Sequence, residues 1–223
     1  MTASSLDDVD LVILTIARTV VANAEYFAEL DGIVGDGDFG YSLRSGFEVV
    51  LREYKTFDRS SVGSVLKAVG VVLSRKVGGV SGPIWGTAFL RAGAAAGDKS
   101  ALTGSDVIDI MRAGIAGIMQ RGGASVGEKT LLDALVPAVD VLELGIGGGK
   151  GRDDHGAKAL QEAADAASRA AEQTRRLVAK RGRAAYTGER SVGSVDAGAA
   201  AVGVIFERIS VAWRVAHVSH RQE

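Results

Sequence analysis

Apolar residues recur at three- and four-residue intervals wherever this 223-residue chain shows a clear pattern, and no segment alternates with the period of two that a half-buried strand needs. Leu14, Ala17, Val21, Ala24 and Ala28 share one face while Arg18, Glu25 and Glu29 occupy another, so residues 7–29 read as one amphipathic helix with Ser5 as a candidate N-cap. Val195, Ala199, Val202, Ile205, Phe206, Ile209 and Trp213 mark a long final helix in the same way. Between them the spacing predicts helices near 41–56, 61–77, 82–96, 104–120, 130–144 and 155–180, separated by glycine-rich or polar stretches. The expectation is an all-α chain of eight helices forming one domain over 1–223, with Pro83 in a first helical turn and Pro137 inside a helix.

Composition narrows the function. The formal net charge is −1, from 26 basic and 27 acidic residues, with no basic block for nucleic acid or an anionic membrane. Cysteine is absent, which removes disulfides, thiolate nucleophiles and cysteine zinc sites. The amino terminus is polar and acidic, unlike a secretory signal, and the most apolar window, Gly78–Gly97, is broken by Arg91, Ser81 and glycines. A cytoplasmic protein with no membrane span is expected. Its 30 glycines read as gathering at helix ends.

Val34-Gly35-Asp36-Gly37-Asp38-Phe39-Gly40, with Asp31 just before it, packs three acids and three glycines into one short stretch. Carboxylates are the hard oxygen ligands that Mg²⁺ prefers, and glycines let backbone N–H groups approach an anion. A solvated acidic turn fits the same residues. Gly78-Gly79-Val80-Ser81-Gly82 precedes a helix start, where free N–H groups and the helix dipole hold phosphate, though a serine-capped turn reads equally. Gly145–Arg152 reads as a plain loop. Gly122–Thr130 resembles a P-loop only superficially, because Glu128 separates Gly127 from Lys129 and a helix precedes it. Arg183 and Arg190, in the glycine-punctuated stretch before the last helix, are available to neutralise transferring phosphate charge. His217 and His220 read as a solvated helix end, and Trp85 and Trp213 as core.

Four motifs in order, Gly35-Asp36-Gly37-Asp38-x-Gly40, Gly79-x-Ser81-Gly82-Pro83-x-x-Gly86-Thr87, Gly127-x-Lys129-Thr130-Leu131-x-Asp133-Ala134-Leu135-x-Pro137-Ala138 and Gly182-Arg183-Ala184-x-Tyr186-x-Gly188-Glu189-Arg190-Ser191-x-Gly193, resemble the L subunit of dihydroxyacetone kinase over almost the whole chain. The resemblance implies an eight-helix antiparallel barrel that binds ATP or ADP in the loops at one end. It implies that Asp31, Asp36 and Asp38 hold two Mg²⁺ ions. Phe39, Gly40, Tyr41, Ser42, Val80 and Ser81 would line the phosphate and ribose side, and Gly122 and Leu131 would border the adenine. Arg183, the catalytic group, would close the pocket with Asp196, Ala197 and Gly198. The chain departs from the family at Phe39 and Ser42, where many members carry His and Asn, and at Ser194-Val195-Asp196-Ala197-Gly198, where they carry His-x-Asp-Pro-Gly. A K-type subunit would carry the ketose. ADP would be recharged by a phosphocarrier M subunit, or ATP would exchange freely, and both readings stay open. The alternative is a non-catalytic or regulatory nucleotide-binding protein that docks a transcriptional regulator or another partner, and apolar helix faces around a barrel axis would leave room for a lipid.

Overall fold

Asn23 ends the first amphipathic segment earlier than its periodicity suggests. The computed structural model describes residues 6–147 and 153–217, within which there are nine α-helices and no strand. The helix expected over 7–29 is two, α1 (Leu6–Ala22) and α2 (Ala24–Gly32), whose axes meet at 57°. The Asn23 side-chain amide donates to the Thr19 carbonyl at 2.7 Å, the local side-chain-to-backbone bond by which Asn competes with the helix ladder. Asp31 therefore sits in the last turn of α2 rather than in a loop.

The remaining helices fall close to their expected places, except that the helix expected to run to residue 180 ends at Gln173 and gives way to a 3₁₀ turn, Thr174–Arg176: α3 (Phe39–Glu53), α4 (Val62–Lys76), α5 (Ser81–Ala96), α6 (Gly104–Gly122), α7 (Leu132–Gly147), α8 (Asp153–Gln173) and α9 (Ala197–His217). Ser61 caps α4 by accepting from Ser64 N, and Thr103 with Asp106 forms a reciprocal capping box on α6. The separator before the last helix contains a 3₁₀ segment, Arg183–Ser191, broken at Gly188. The loop read at Gly145–Arg152 begins later, because α7 runs on to Gly147. Its residues 148–152, the Ser5 cap and His220 lie outside the described residues.

From α3 to α9 each helix packs on the next, and α1 packs on both α3 and α9, so the contacts run in a closed ring. α2 packs against α3 and α9. Val20, Phe47, Val65, Leu73 and Ile205 belong to one large core cluster. On the other side α7, α8 and α9 meet through Ala134, Ala138, Ala163, Ala167 and Ala199, small residues that let the axes approach. Ile13, Leu66, Trp85, Ile115, Leu131 and Phe206 line an almost wholly apolar cavity of about 310 Å³, and Trp213 borders it too. His217 corrects the reading of a solvated end: its Nε2 lies 2.8 Å from Asp8 Oδ1 and its ring stacks on Trp213 at 4.2 Å, tying the end of α9 to the first turn of α1. No single described helix is long and apolar enough to cross a membrane; α1 and α2 pass that test only as a bent pair.

The glycines divide into two sets, where the sequence suggested one. Among the described residues eight have positive φ and lie in turns and at helix ends, as expected. Others lie inside α4 and α5, where the two backbones touch. A Cβ on Gly70 would stand 2.9 Å from the Gly86 carbonyl oxygen and 2.8 Å from Leu90 N, and a Cβ on Gly93 would stand 2.9 Å from the Gly63 carbonyl oxygen. Gly70→Ala therefore forces α4 and α5 apart and is expected to cost about 1–3 kcal/mol, read as a lower urea midpoint at unchanged slope. An unchanged midpoint would contradict the backbone contact.

Candidate functional site

The acid stretch is shaped by its own backbone. Gly35 N–H donates to the Asp31 carbonyl at 2.5 Å and Gly37 N–H to Asp31 Oδ2 at 2.9 Å, so the chain turns back over the end of α2. Gly37 has φ 75°, and a Cβ on Gly35 would stand 2.8 Å from the Asp31 carboxyl carbon. The turn delivers Asp38 to the N-cap position of α3, but its carboxylate makes no cap bond and is left to face its neighbours. Carboxylate oxygens of Asp31, Asp36 and Asp38 all lie within 4.8 Å of one another.

Arg183 comes to the same point from the far end of the chain. Its Nη1 pairs with Asp36 and lies 3.6 Å from Asp38 Oδ2. Three carboxylates and one guanidinium leave this group at a formal −2, a cation-attracting site built from the oxygen donors that Mg²⁺ takes. Arg190 is exposed and, among the described residues, forms no ion pair with the acids, so the two arginines do not act as a pair.

Glycine contacts place the other expected residues. A Cβ on Gly78 would stand 3.0 Å from Ser42 Oγ, which puts the first turn of α3 beside the stretch leading to Val80 and Ser81. Ser81 begins α5, and Val80 is 71% exposed at its N-cap. Gly122 abuts Ile84 in the first turn of α5, and Gly198 abuts Leu131, with the Asp196 carboxylate also beside Gly198. Gly40 is buried so closely against α2 that an added Cβ would lie 2.7 Å from Ala28 N. Tyr41 is exposed. Phe39 packs on the core and its ring approaches Phe27 at 6.5 Å, which accounts for an apolar residue where the family pattern has an imidazole.

A profile of the DAK2 domain matches residues 33–211. The chain belongs to the DAK2 domain family. It is 35% identical over 189 residues to the protein of Escherichia coli strain K12 named PEP-dependent dihydroxyacetone kinase, ADP-binding subunit DhaL, covering 85% of this chain and 88% of that one. It is 32% identical over 206 residues to the L-erythrulose 1-kinase of Mycolicibacterium smegmatis, but spans only 35% of that longer protein. The crystal structure of the dihydroxyacetone kinase of C. freundii has the same fold over 90% of this chain and 33% of that one, with a TM-score of 0.70 at 24% identity.

The DAK2 motif around Lys129 holds what the sequence did not show. Lys129 has φ 61° and is 3% exposed, and its ammonium donates to the carbonyls of Thr174 (2.9 Å), Leu177 (3.3 Å) and Ser194 (2.6 Å). It is a buried strut and not a phosphate-binding lysine, which bears out the rejection of a P-loop. Asp133 shapes the turn by accepting from Gly127 N and from Thr130 N at 2.5 and 2.7 Å. Asp196 accepts from Ala199 N at 2.7 Å at the start of α9, while its own N–H donates to Thr174 Oγ1 at 2.9 Å.

Burial pushes the Asp196 carboxyl from an ordinary 3.8 up to about 7, and Asp133 adds to the rise against the opposing pull of the Ala199 N–H and Lys129. Between those values the folded chain holds a proton that the unfolded chain has lost. This group's contribution to stability therefore declines as pH rises from about 4 to 7 and levels off above. Asn keeps the cap acceptor without the charge, so Asp196→Asn is expected to gain on the wild type by up to about 4 kcal/mol at pH 8, with the gap closing by pH 4. Urea denaturation at several pH values measures it, and a gap independent of pH would contradict the assignment.

Proposed function

We propose that this DAK2 domain is the nucleotide- and Mg²⁺-binding subunit of a dihydroxyacetone-type ketose kinase, a cytoplasmic phosphotransferase that acts with a separate K-type subunit carrying the substrate. The observation that carries the reading is the convergence of Asp31, Asp36, Asp38 and Arg183 on one point beside two helix N-termini. The three aspartates would hold two Mg²⁺ ions, which supply charge neutralisation of the nucleotide phosphates. The N–H groups of Phe39, Gly40 and Tyr41, and of Val80 and Ser81, face phosphate oxygens as free amides of first helical turns do, while the Ser42 N–H is taken by the Asp38 carbonyl at 2.8 Å and Ser42 offers its hydroxyl instead. Gly122 and Leu131 border the adenine, and Asp196, Ala197 and Gly198 close the pocket. Arg183 offsets the negative charge that develops on the transferring phosphoryl group, and no side chain needs to be phosphorylated.

The ring of helix contacts is read as the eight-helix antiparallel barrel, with α2 as an added short helix at the site end. Several relatives that match the chain over most of their own length are named PEP- or PTS-dependent ADP-binding subunits. That favours ADP retained as a cofactor and recharged by a phosphocarrier M subunit over free ATP exchange. The apolar cavity suits an acyl chain, and solvent extraction of purified protein should release a lipid; a clean extract would remove that part of the proposal.

Calorimetry of ADP and ATP with and without Mg²⁺ tests the main reading. Binding should require Mg²⁺ and weaken at least about tenfold in Asp36→Asn. Equal binding in EDTA would contradict a Mg²⁺-dependent catalytic subunit and leave the non-catalytic nucleotide-binding reading, whereas no binding by folded, nucleotide-free protein would contradict both.

A further inference from the structure

We propose that Lys129 is a positioning residue for Arg183: its ammonium clamps together both ends of the segment that carries the arginine. The proposal rests on the assignment of Arg183 to the nucleotide site.

From Lys180 to Arg190 no residue is buried, and Tyr186 is 91% exposed. Gly182, Gly188 and Gly193 take positive φ within or beside this stretch, so its backbone has little stiffness of its own. Apolar burial cannot hold such a segment, and its placement depends on polar bonds at its base. Three of those come from Lys129. The Thr174 and Leu177 carbonyls lie on the entering strand of chain and the Ser194 carbonyl on the leaving one. An ammonium has three donors and no acceptor, so these three carbonyls fit its full capacity.

Other bonds work at the same neck. Arg175 Nη1 donates to the Gly193 carbonyl at 2.7 Å and Gly193 N–H returns to the Arg175 carbonyl at 2.8 Å. Ala179 N–H donates to Ser191 Oγ at 2.8 Å. Glu128, the neighbour of Lys129, takes a two-pronged bond from Arg181, and its carbonyl accepts from Lys180 N–H. A dipeptide between α6 and α7 thus grips a segment some 50 residues later at the neck and just before the arginine. The backbone at Lys129 adopts a left-handed conformation that a lysine occupies at a cost, and the buried carbonyl contacts offset it.

The test uses the full chain with Lys129→Met, which keeps the side-chain bulk and removes the donors. Hydrogen exchange should rise about tenfold across residues 179–193 while α4 stays at its wild-type rate. Affinity for ADP in Mg²⁺ should fall about tenfold in this variant, yet show no further fall when the substitution is added to Arg183→Gln. Exchange that rises equally in α4, exchange that does not change, or an affinity loss of the same size in both backgrounds would overturn the proposal. Should the Met variant not fold, Lys129→Gln, whose amide keeps two of the three donors, is expected to show the same changes at smaller size, and no change in either variant would overturn the proposal. A wild type that binds no nucleotide would overturn the functional assignment instead, because exchange is measured without nucleotide.

Discussion

Three carboxylates held within 4.8 Å of one another repel, by about 1 kcal/mol per pair in open water and about 3 at an effective dielectric of 20. A chain keeps such a group only where local bonds impose it and a counter-charge rewards it. Here the imposition is local: a hydrogen bond from the Gly37 N–H fixes the Asp31 carboxylate, and the crowding at Gly35 admits no side chain between the end of α2 and the turn. Among the described residues the counter-charge is a single guanidinium, which leaves the site short of positive charge by two. That deficit is the physical reason to expect divalent cations, and with them phosphate, at this end of the molecule.

The helix ring serves this cluster by fixing where the helix starts point. α3 begins at the acid turn because Gly40 lets it lie against the α2 backbone, and α5 begins beside it because glycines in α4 and α5 permit backbone contact along their shared face. Two helix N-termini, each with free amides, are thereby set next to three acids. Neither helix could be moved back by the width of a methyl group without displacing its first turn.

What the sequence revealed about fold and site follows the range of the interactions involved. Helical periodicity is local, so the helix positions from α3 onward could be read directly, whereas the bend at Asn23 turns on one side-chain bond. The acid turn could be read because its three aspartates lie within eight residues, though Asp31 belongs to the helix before it. Interior glycines such as Gly70 and Gly93 were not separable from end glycines, since their reason is the opposing helix. Lys129 was opaque for the same cause: its acceptors lie 45, 48 and 65 residues away, and its motif resembles a phosphate loop that the fold does not build. Phe39, a departure from the family pattern, becomes an ordinary core contact once Phe27 is beside it. The approach of Arg183 to Asp36 spans most of the chain: Arg183 could be read locally as a group for phosphate charge, its place in the pocket came from the family resemblance, and its pairing with Asp36 is visible only in the fold.

Manganese, which accepts the same oxygen ligands as magnesium and is paramagnetic, gives the most direct test of the acid cluster. Electron paramagnetic resonance would count the ions bound per chain in the presence of ADP, and phosphorus resonance would show whether they lie at the nucleotide. Two bound ions, strong broadening of the ADP phosphorus lines, and loss of both in Asp38→Asn are the expected result. Manganese binding that survives Asp38→Asn, or that leaves the phosphorus lines sharp, would contradict it.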